Sequence, residues 1–164
     1  MKADEAAKNK TNAMRILDRH GLPYRVHVYD ASNGQIDGLS VAQKIKCPLE
    51  TMYKTLVTRG SDLNYYVFVV PVAKVLDLKR AAKASGVKAV EMIPVADINR
   101  ITGYVRGGCS PVGMKKSYLT VVDTSCLELE KIVVSAGRIG LQIELSPRDL
   151  IKVTGAQPEN IATD

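Results

Sequence analysis

Residues 103–113 read Gly103, Tyr104, Val105, Arg106, Gly107, Gly108, Cys109, Ser110, Pro111, Val112, Gly113. No helical or strand period survives that density of glycine and proline, so the chain must be looped here. Glycine supplies positive φ and lets another chain or a ligand approach the backbone closely. Successive backbone N–H groups in such a turn can form a concavity for an anion, or for the oxyanion of an ester under attack. A plain surface connection has the same composition, and from composition alone both readings stand.

Around this loop the pattern alternates between short helices and short strands. Helical spacing predicts helices over Asn12–His20, Leu39–Lys46 (capped by Ser40), Leu78–Ser85 (capped by Asp77) and Pro94–Ile101. Ser146, Pro147 and Asp149 have the form of a capping box, with a helix following to about Val153. Strands are predicted over Tyr24–Tyr29, Tyr53–Thr58, Tyr65–Val72, Val87–Met92, Leu119–Val122, Lys131–Ser135 and Leu141–Leu145. In the first of these, Tyr24, Val26 and Val28 share one face, and Arg25, His27 and Tyr29 the other. Turn residues Gly60, Ser61 and Asp62 make the second and third strands a hairpin. The expected fold is mixed α/β: one domain with a mixed, mostly antiparallel, barrel-like sheet surrounded by short helices. Residues 1–11 are expected to be flexible, 12–154 to be the domain, and 155–164 to be a loose tail.

With 164 residues the chain can bury a core within one domain. No apolar run approaches the length of a membrane span, and the N-terminus has no apolar leader segment, so the expected compartment is the cytoplasm. The net charge of +6 suits a phosphate-rich partner without demanding one. Three cysteines, Cys47, Cys109 and Cys126, make no pair with metal or redox spacing. His20 and His27 are near each other in sequence but far from all three cysteines, so neither a metal nor a cofactor is expected. His20 complements a helix C-terminus, and His27 decorates a polar strand face.

Lys54 is the odd residue of its strand. Its alternate neighbours Met52 and Leu56 are apolar, so the ammonium is set on an apolar face. That marks either a site or a lysine that snorkels to water. Cys109 is a poor nucleophile without a base, and Ser110 lacks the elbow motif because Pro111 follows it. The sequence shows no convincing triad or metal set, so an enzyme here would need positioning and oxyanion stabilisation more than a strong nucleophile.

Several segments together resemble the YbaK/EbsC family, freestanding relatives of the editing domain of bacterial prolyl-tRNA synthetases. They are Tyr53–Val57, Leu76–Lys79, Val90–Met92, Thr102–Tyr104, Gly107–Gly113, Val134–Arg138 and Gly140–Leu145. The resemblance spans about Asn12 to Val153. It implies trans-editing: hydrolysis of mischarged aminoacyl-tRNA, Cys-tRNA(Pro) above all, with the acceptor end of tRNA as partner and prolyl-tRNA synthetase as a second one. The family match assigns Lys54 to the 3′-terminal adenosine and its phosphate. It assigns Gly107, Gly108 and Ser110, with Pro111 beside them, to the scissile carbonyl. It assigns Tyr29, Thr55 and Ser135, with Gly137 and Gln142, to the aminoacyl pocket. Attack is expected from the substrate itself, by its ribose hydroxyl or its cysteine thiol. Gln142 replaces an acidic residue of the family pattern, and a neutral amide can hydrogen-bond but not pair by charge. Cys109 replaces a larger aliphatic residue. Two other classes compete with the enzyme: a non-catalytic protein that shields tRNA, and a hydrolase of small esters or thioesters.

Overall fold

The computed structural model describes residues 9–164. In chain order the elements are α1 (Asn12–Arg19), β1 (Arg25–Val28), α2 (Gly38–Ile45), β2 (Tyr53–Gly60), β3 (Tyr65–Pro71), β4 (Val75–Leu76), α3 (Leu78–Ser85) and β5 (Val90–Met92). There follow α4 (Ile98–Thr102), β6 (Leu119–Asp123), β7 (Ile132–Ser135), β8 (Leu141–Leu145), α5 (Pro147–Thr154), β9 (Gln157–Glu159) and β10 (Ala162–Thr163). Single 3₁₀ turns sit at Leu49–Thr51, Val95–Asp97 and Thr124–Glu128.

One sheet has five strands in the order β5-β2-β3-β6-β9, and another has three, β1-β8-β7. The two meet through a parallel bridge between Met52 and Val133. A small pair, β10-β4, stands apart. Among the described strand ladders, β3–β6 and β6–β9 are parallel and the rest antiparallel. The sheets wrap a shared core without closing into a barrel.

β3 is central, and its continuous apolar run follows from burial on both faces. Tyr66, Phe68 and Val70 pack under α3 with Ala81 and Ala82. Val69 turns to the main core, beside Leu141, Ile143 and Leu145 of β8. Alternation in β1 works as read from the sequence: Val26 and Val28 pack on that same core. On the opposite face Arg25 is exposed, but the end nearest α2 is covered, because Tyr29 packs with Val41 and Ala42.

The helix ends have identifiable causes. Ser146 Oγ accepts from Asp149 N at 3.1 Å with Pro147 at the first position, as the capping box requires. Asp77 caps α3, and Gly86 ends it in the left-handed region. α2 begins one residue earlier than expected. Its cap is Asp37, whose carboxylate accepts from Ser40 N at 3.1 Å, so Ser40 is a first-turn residue and not the cap. The helix expected over Pro94–Ile101 divides into the 3₁₀ turn and the short α4, ended by Gly103.

The largest difference lies at the C-terminus. Residues 157–163 are not loose: they form β9 beside β6 and β10 beside β4. Asp123 is the anchor. One carboxylate oxygen accepts from both Ile161 N and Ala162 N at 3.0 Å, while the other accepts from Ser125 N at 3.2 Å. Ile161 is fully buried between them, a contribution of about 1.5–3 kcal/mol. Pro158 is tolerated because β9 is an edge strand. Of the expected flexible segment 1–11, residues 1–8 lie outside the described part. Thr11 is buried and caps α1 by accepting from Met14 N.

Candidate active site

A cavity of about 130 Å³ lies across the start of β2. Consecutive residues Met52, Tyr53, Lys54 and Thr55 border it. The glycine loop adds Gly107 and Cys109, β7 adds Ser135, and β8 adds Gln142. The strand register explains the last two: Ser135 and Gln142 are cross-strand partners and share a face. Residues far apart in sequence are thereby brought to one place.

The polar groups here are unusually free. Thr55 Oγ1 and Ser135 Oγ are buried without a hydrogen-bond partner among the described residues. An orphaned buried hydroxyl costs about 1–3 kcal/mol, so two on one cavity wall mark a surface built for a ligand. Lys54 makes no ion pair among the described residues, and burial pulls its pKa below the usual lysine value. The cation is therefore poorly solvated and ready for an anion.

Two close approaches fix the glycine loop on the turn after β7. A Cβ on Gly108 would stand 2.9 Å from Ile139 N and 3.0 Å from the Arg138 carbonyl carbon. A Cβ on Gly137, at φ +98°, would stand 2.8 Å from the Tyr104 ring. The Tyr104 hydroxyl donates to Val112 O at 2.8 Å, and Asn12 Nδ2 donates to Gly113 O at 2.8 Å. The loop is therefore pinned at several points. Gly107, at φ +85°, turns beneath Ile36. Ile36 is held in its turn because the Lys44 ammonium donates to the carbonyls of Asp30 and Gln35 and to Asn33 Oδ1.

The remaining residues singled out in the sequence stand around this cavity and not on it. Gly108 N donates to Val105 O at 3.0 Å, so that amide is turned back into the loop. The amides of Gly107 and Cys109 have no acceptor among the described residues, and both residues border the cavity. Ser110 is buried, and its hydroxyl accepts from Val112 N at 3.2 Å. Pro111 borders a different hollow, with Tyr118 and Val153. Tyr29 lies behind the wall, packed with Val41 and Met52, and its hydroxyl also lacks a partner among the described residues. Sequence reasoning missed Ile36, Gly38, Val41 and Val72 as wall residues. Only Gly38 carries a signal: a Cβ there would meet Val72 at 2.6 Å.

Burial pushes the Cys109 thiol up to about 11, and among the described residues its hydrogen-bond partner is Thr102 Oγ1 at 3.9 Å. It stays a thiol at neutral pH, and no base hydrogen-bonds to it among the described residues. The histidines do not serve the cavity. His20 Nδ1 donates at its own helix end, to Ile16 O at 2.9 Å. His27 departs from expectation, because Cys47 comes within 3.8 Å of its ring nitrogen. Sequence separation hid that approach, which the turn after α2 creates.

The aminoacyl-tRNA editing domain family matches residues 39–153, a stretch that includes β2, the glycine loop, β7 and β8. The chain belongs to this family. A protein of Enterococcus faecalis, provisionally named Cys-tRNA(Pro)/Cys-tRNA(Cys) deacylase EbsC, is 41% identical over 161 residues, 98% of either chain. Among solved structures, one described as a hypothetical protein superposes with a TM-score of 0.85 at 24% identity, covering 93% of this chain and 100% of that one. Another, described provisionally as a trans-editing enzyme for prolyl-tRNA synthetase, superposes with a TM-score of 0.82 at 22% identity, covering 95% and 99%. These two likenesses establish the editing-domain fold. Among the described residues, no helix is long and apolar enough to cross a membrane.

Proposed function

We propose that this editing-domain protein is a trans-acting deacylase that cleaves the ester of mischarged tRNA, with Cys-tRNA(Pro) as its preferred substrate. One observation carries the reading. The 130 Å³ cavity adjoins a more apolar hollow of about 280 Å³, and the two share Thr55, Gly107 and Cys109. The smaller is close to the size of a cavity that holds benzene, about 150 Å³. It accepts a cysteine-sized side chain and no nucleotide. The larger is walled by Met92, Ile93, Val95 and Ile98, with Arg106 at its margin. It suits the terminal adenine, with its phosphate near a cation. The ester then lies at the junction, against Gly107.

In this arrangement the amides of Gly107 and Cys109 receive the carbonyl oxygen as negative charge develops. One such donor is worth about 10²–10³ in rate. Lys54 holds the acceptor end by charge. Thr55, Ser135 and Gln142 complete their hydrogen bonds on the aminoacyl group. Gly108 serves by its lack of a side chain, which seats the loop. The attacking group comes from the substrate, because Cys109 is protonated and no base adjoins it. Either the free ribose hydroxyl directs water onto the carbonyl, or the cysteine thiol attacks it and passes its proton to the departing tRNA hydroxyl. Recruitment by prolyl-tRNA synthetase belongs to the same reading, because that enzyme releases the mischarged product.

The test is a panel of charged tRNAs: Cys-tRNA(Pro), Cys-tRNA(Cys), Ala-tRNA(Pro) and Pro-tRNA(Pro). Ester loss should be fastest for the cysteinyl species and should slow steeply as salt rises. Decay of all four at the rate of buffer would remove the proposal.

A further inference from the structure

Outside the cavity, the polar face of β1 meets the turn after α2, and three side chains of different chemistry converge there. His27 Nε2 lies 3.3 Å from Glu144 Oε1 and 3.8 Å from Cys47 Sγ. All three donor atoms lie within 4.8 Å of one another. We propose that His27, Cys47 and Glu144 form a site for one divalent transition-metal ion of the zinc class.

The spacing is that of ligands on a shared ion. Zinc binds nitrogen and oxygen at about 2.0–2.2 Å and sulfur at about 2.3 Å, which puts tetrahedral ligand atoms about 3.3–3.6 Å apart. The nitrogen–oxygen separation already matches and the nitrogen–sulfur separation exceeds it by a few tenths of an ångström; the sulfur and the carboxylate oxygen, within 4.8 Å of each other, must draw together on the ion. The donor set suits a borderline-soft ion and not magnesium or calcium, which take oxygen ligands. A thiolate and a carboxylate neutralise the dication, while the imidazole stays neutral. On binding, the Cys47 thiol loses its proton to solvent as the metal–sulfur bond forms, and no electron is transferred. Three protein ligands leave a fourth position for water. His27 and Glu144 side chains are 12% and 22% exposed, shielded yet reachable from solvent.

The three ligands come from separate elements: β1, β8 and the turn that ends α2. His27 is the cross-strand partner of Gln142, a cavity residue, and Glu144 lies two residues further along β8. The other end of α2 carries Gly38 and Val41 of the cavity wall. A metal here ties that helix to the strand pair behind the cavity. Without metal, His27 Nε2 either donates to the Glu144 carboxylate or accepts from the Cys47 thiol, and the experiment separates that hydrogen bond from a metal site.

The full-length protein is stripped with a chelator, loaded with Zn²⁺ or Co²⁺, and freed of excess ion by gel filtration. About one ion per chain should remain. The Co²⁺ form should show tetrahedral ligand-field bands and a thiolate-to-metal charge-transfer band. Cys47→Ser should abolish the latter. His27→Gln and Glu144→Gln should weaken binding by more than the ~10–100-fold that loss of an outer-shell partner costs. Cys109→Ser and Cys126→Ser should retain the ion and the spectrum. Absence of a thiolate band in the wild-type protein overturns the proposal without need of any variant. So does metal uptake that Cys47→Ser leaves unchanged.

Discussion

Replacing Gly108 by alanine places a methyl group where two chain segments already touch. Its nearest neighbours would be Ile139 N at 2.9 Å and the Arg138 carbonyl carbon at 3.0 Å, about half an ångström inside ordinary contact. Both are backbone atoms, so no side chain can swing aside, and the loop must back away from the turn. Overpacking of this kind costs about 1–3 kcal/mol, and each kcal/mol lowers Tm by roughly 2–4 °C in a chain of this length. The shift also carries Gly107 and Cys109 away from the ester. A misplacement of 1 Å costs about 100-fold, so half of that should lower single-turnover deacylation of Cys-tRNA(Pro) about tenfold. Gly155→Ala is the control. It has φ +70° with open space around its Cβ, so it should lose about 1–2 kcal/mol from left-handed backbone strain and keep the wild-type rate. A Gly108→Ala protein that melts early yet deacylates at the wild-type rate would refute the claim that this seat positions the loop amides.

Thr55→Val and Ser135→Ala should leave the melting temperature unchanged or raise it, because each removes a hydroxyl without a partner; both should slow deacylation, and a matched loss of stability would show those hydroxyls to be structural. Cys109→Ser should retain deacylation within about tenfold, since the buried thiol is not ionised; complete loss would make Cys109 a participant. Burial raises the Asp123 pKa, but hydrogen bonds from Ser125, Ile161 and Ala162 outweigh it and hold the carboxyl below its usual range. Its contribution is therefore present above about pH 4 and lost as pH falls through the folded-state value. Asp123→Asn should cost about 1.5–3 kcal/mol at pH 7, with the gap to wild type narrowing in acid; a gap that does not change with pH would contradict the assignment.

Features with a local cause could be read from the sequence. Burial on both faces writes itself into Tyr65–Val72 as an unbroken apolar run, and the Ser146 cap depends only on its own next three residues. Lys54 was conspicuous because strand parity isolates a charge among apolar neighbours. Features that depend on distant partners could not be read. The C-terminal residues are polar and short in apolar content, and they become strands through distant partners: the β6 and β4 ladders and the Asp123 carboxylate, 38 positions before Ile161. Asp37 and Ser40 both have cap chemistry, and the choice between them rests on where the chain leaves Ile36. The glycine loop was evident, but not which amides point back into it. His27 and Cys47 meet only because α2 folds over the face of β1.

The central claim is that a poorly solvated cation and the amides of the glycine loop act together on one aminoacyl ester. The direct measurement is single-turnover deacylation of Cys-tRNA(Pro) by Lys54→Met, with its melting curve recorded alongside. A charge-assisted hydrogen bond is worth about 1.5–3 kcal/mol, so the variant should be slower by about 10–100-fold while melting no earlier than wild type. A Lys54→Met protein that deacylates as fast as wild type would contradict the account.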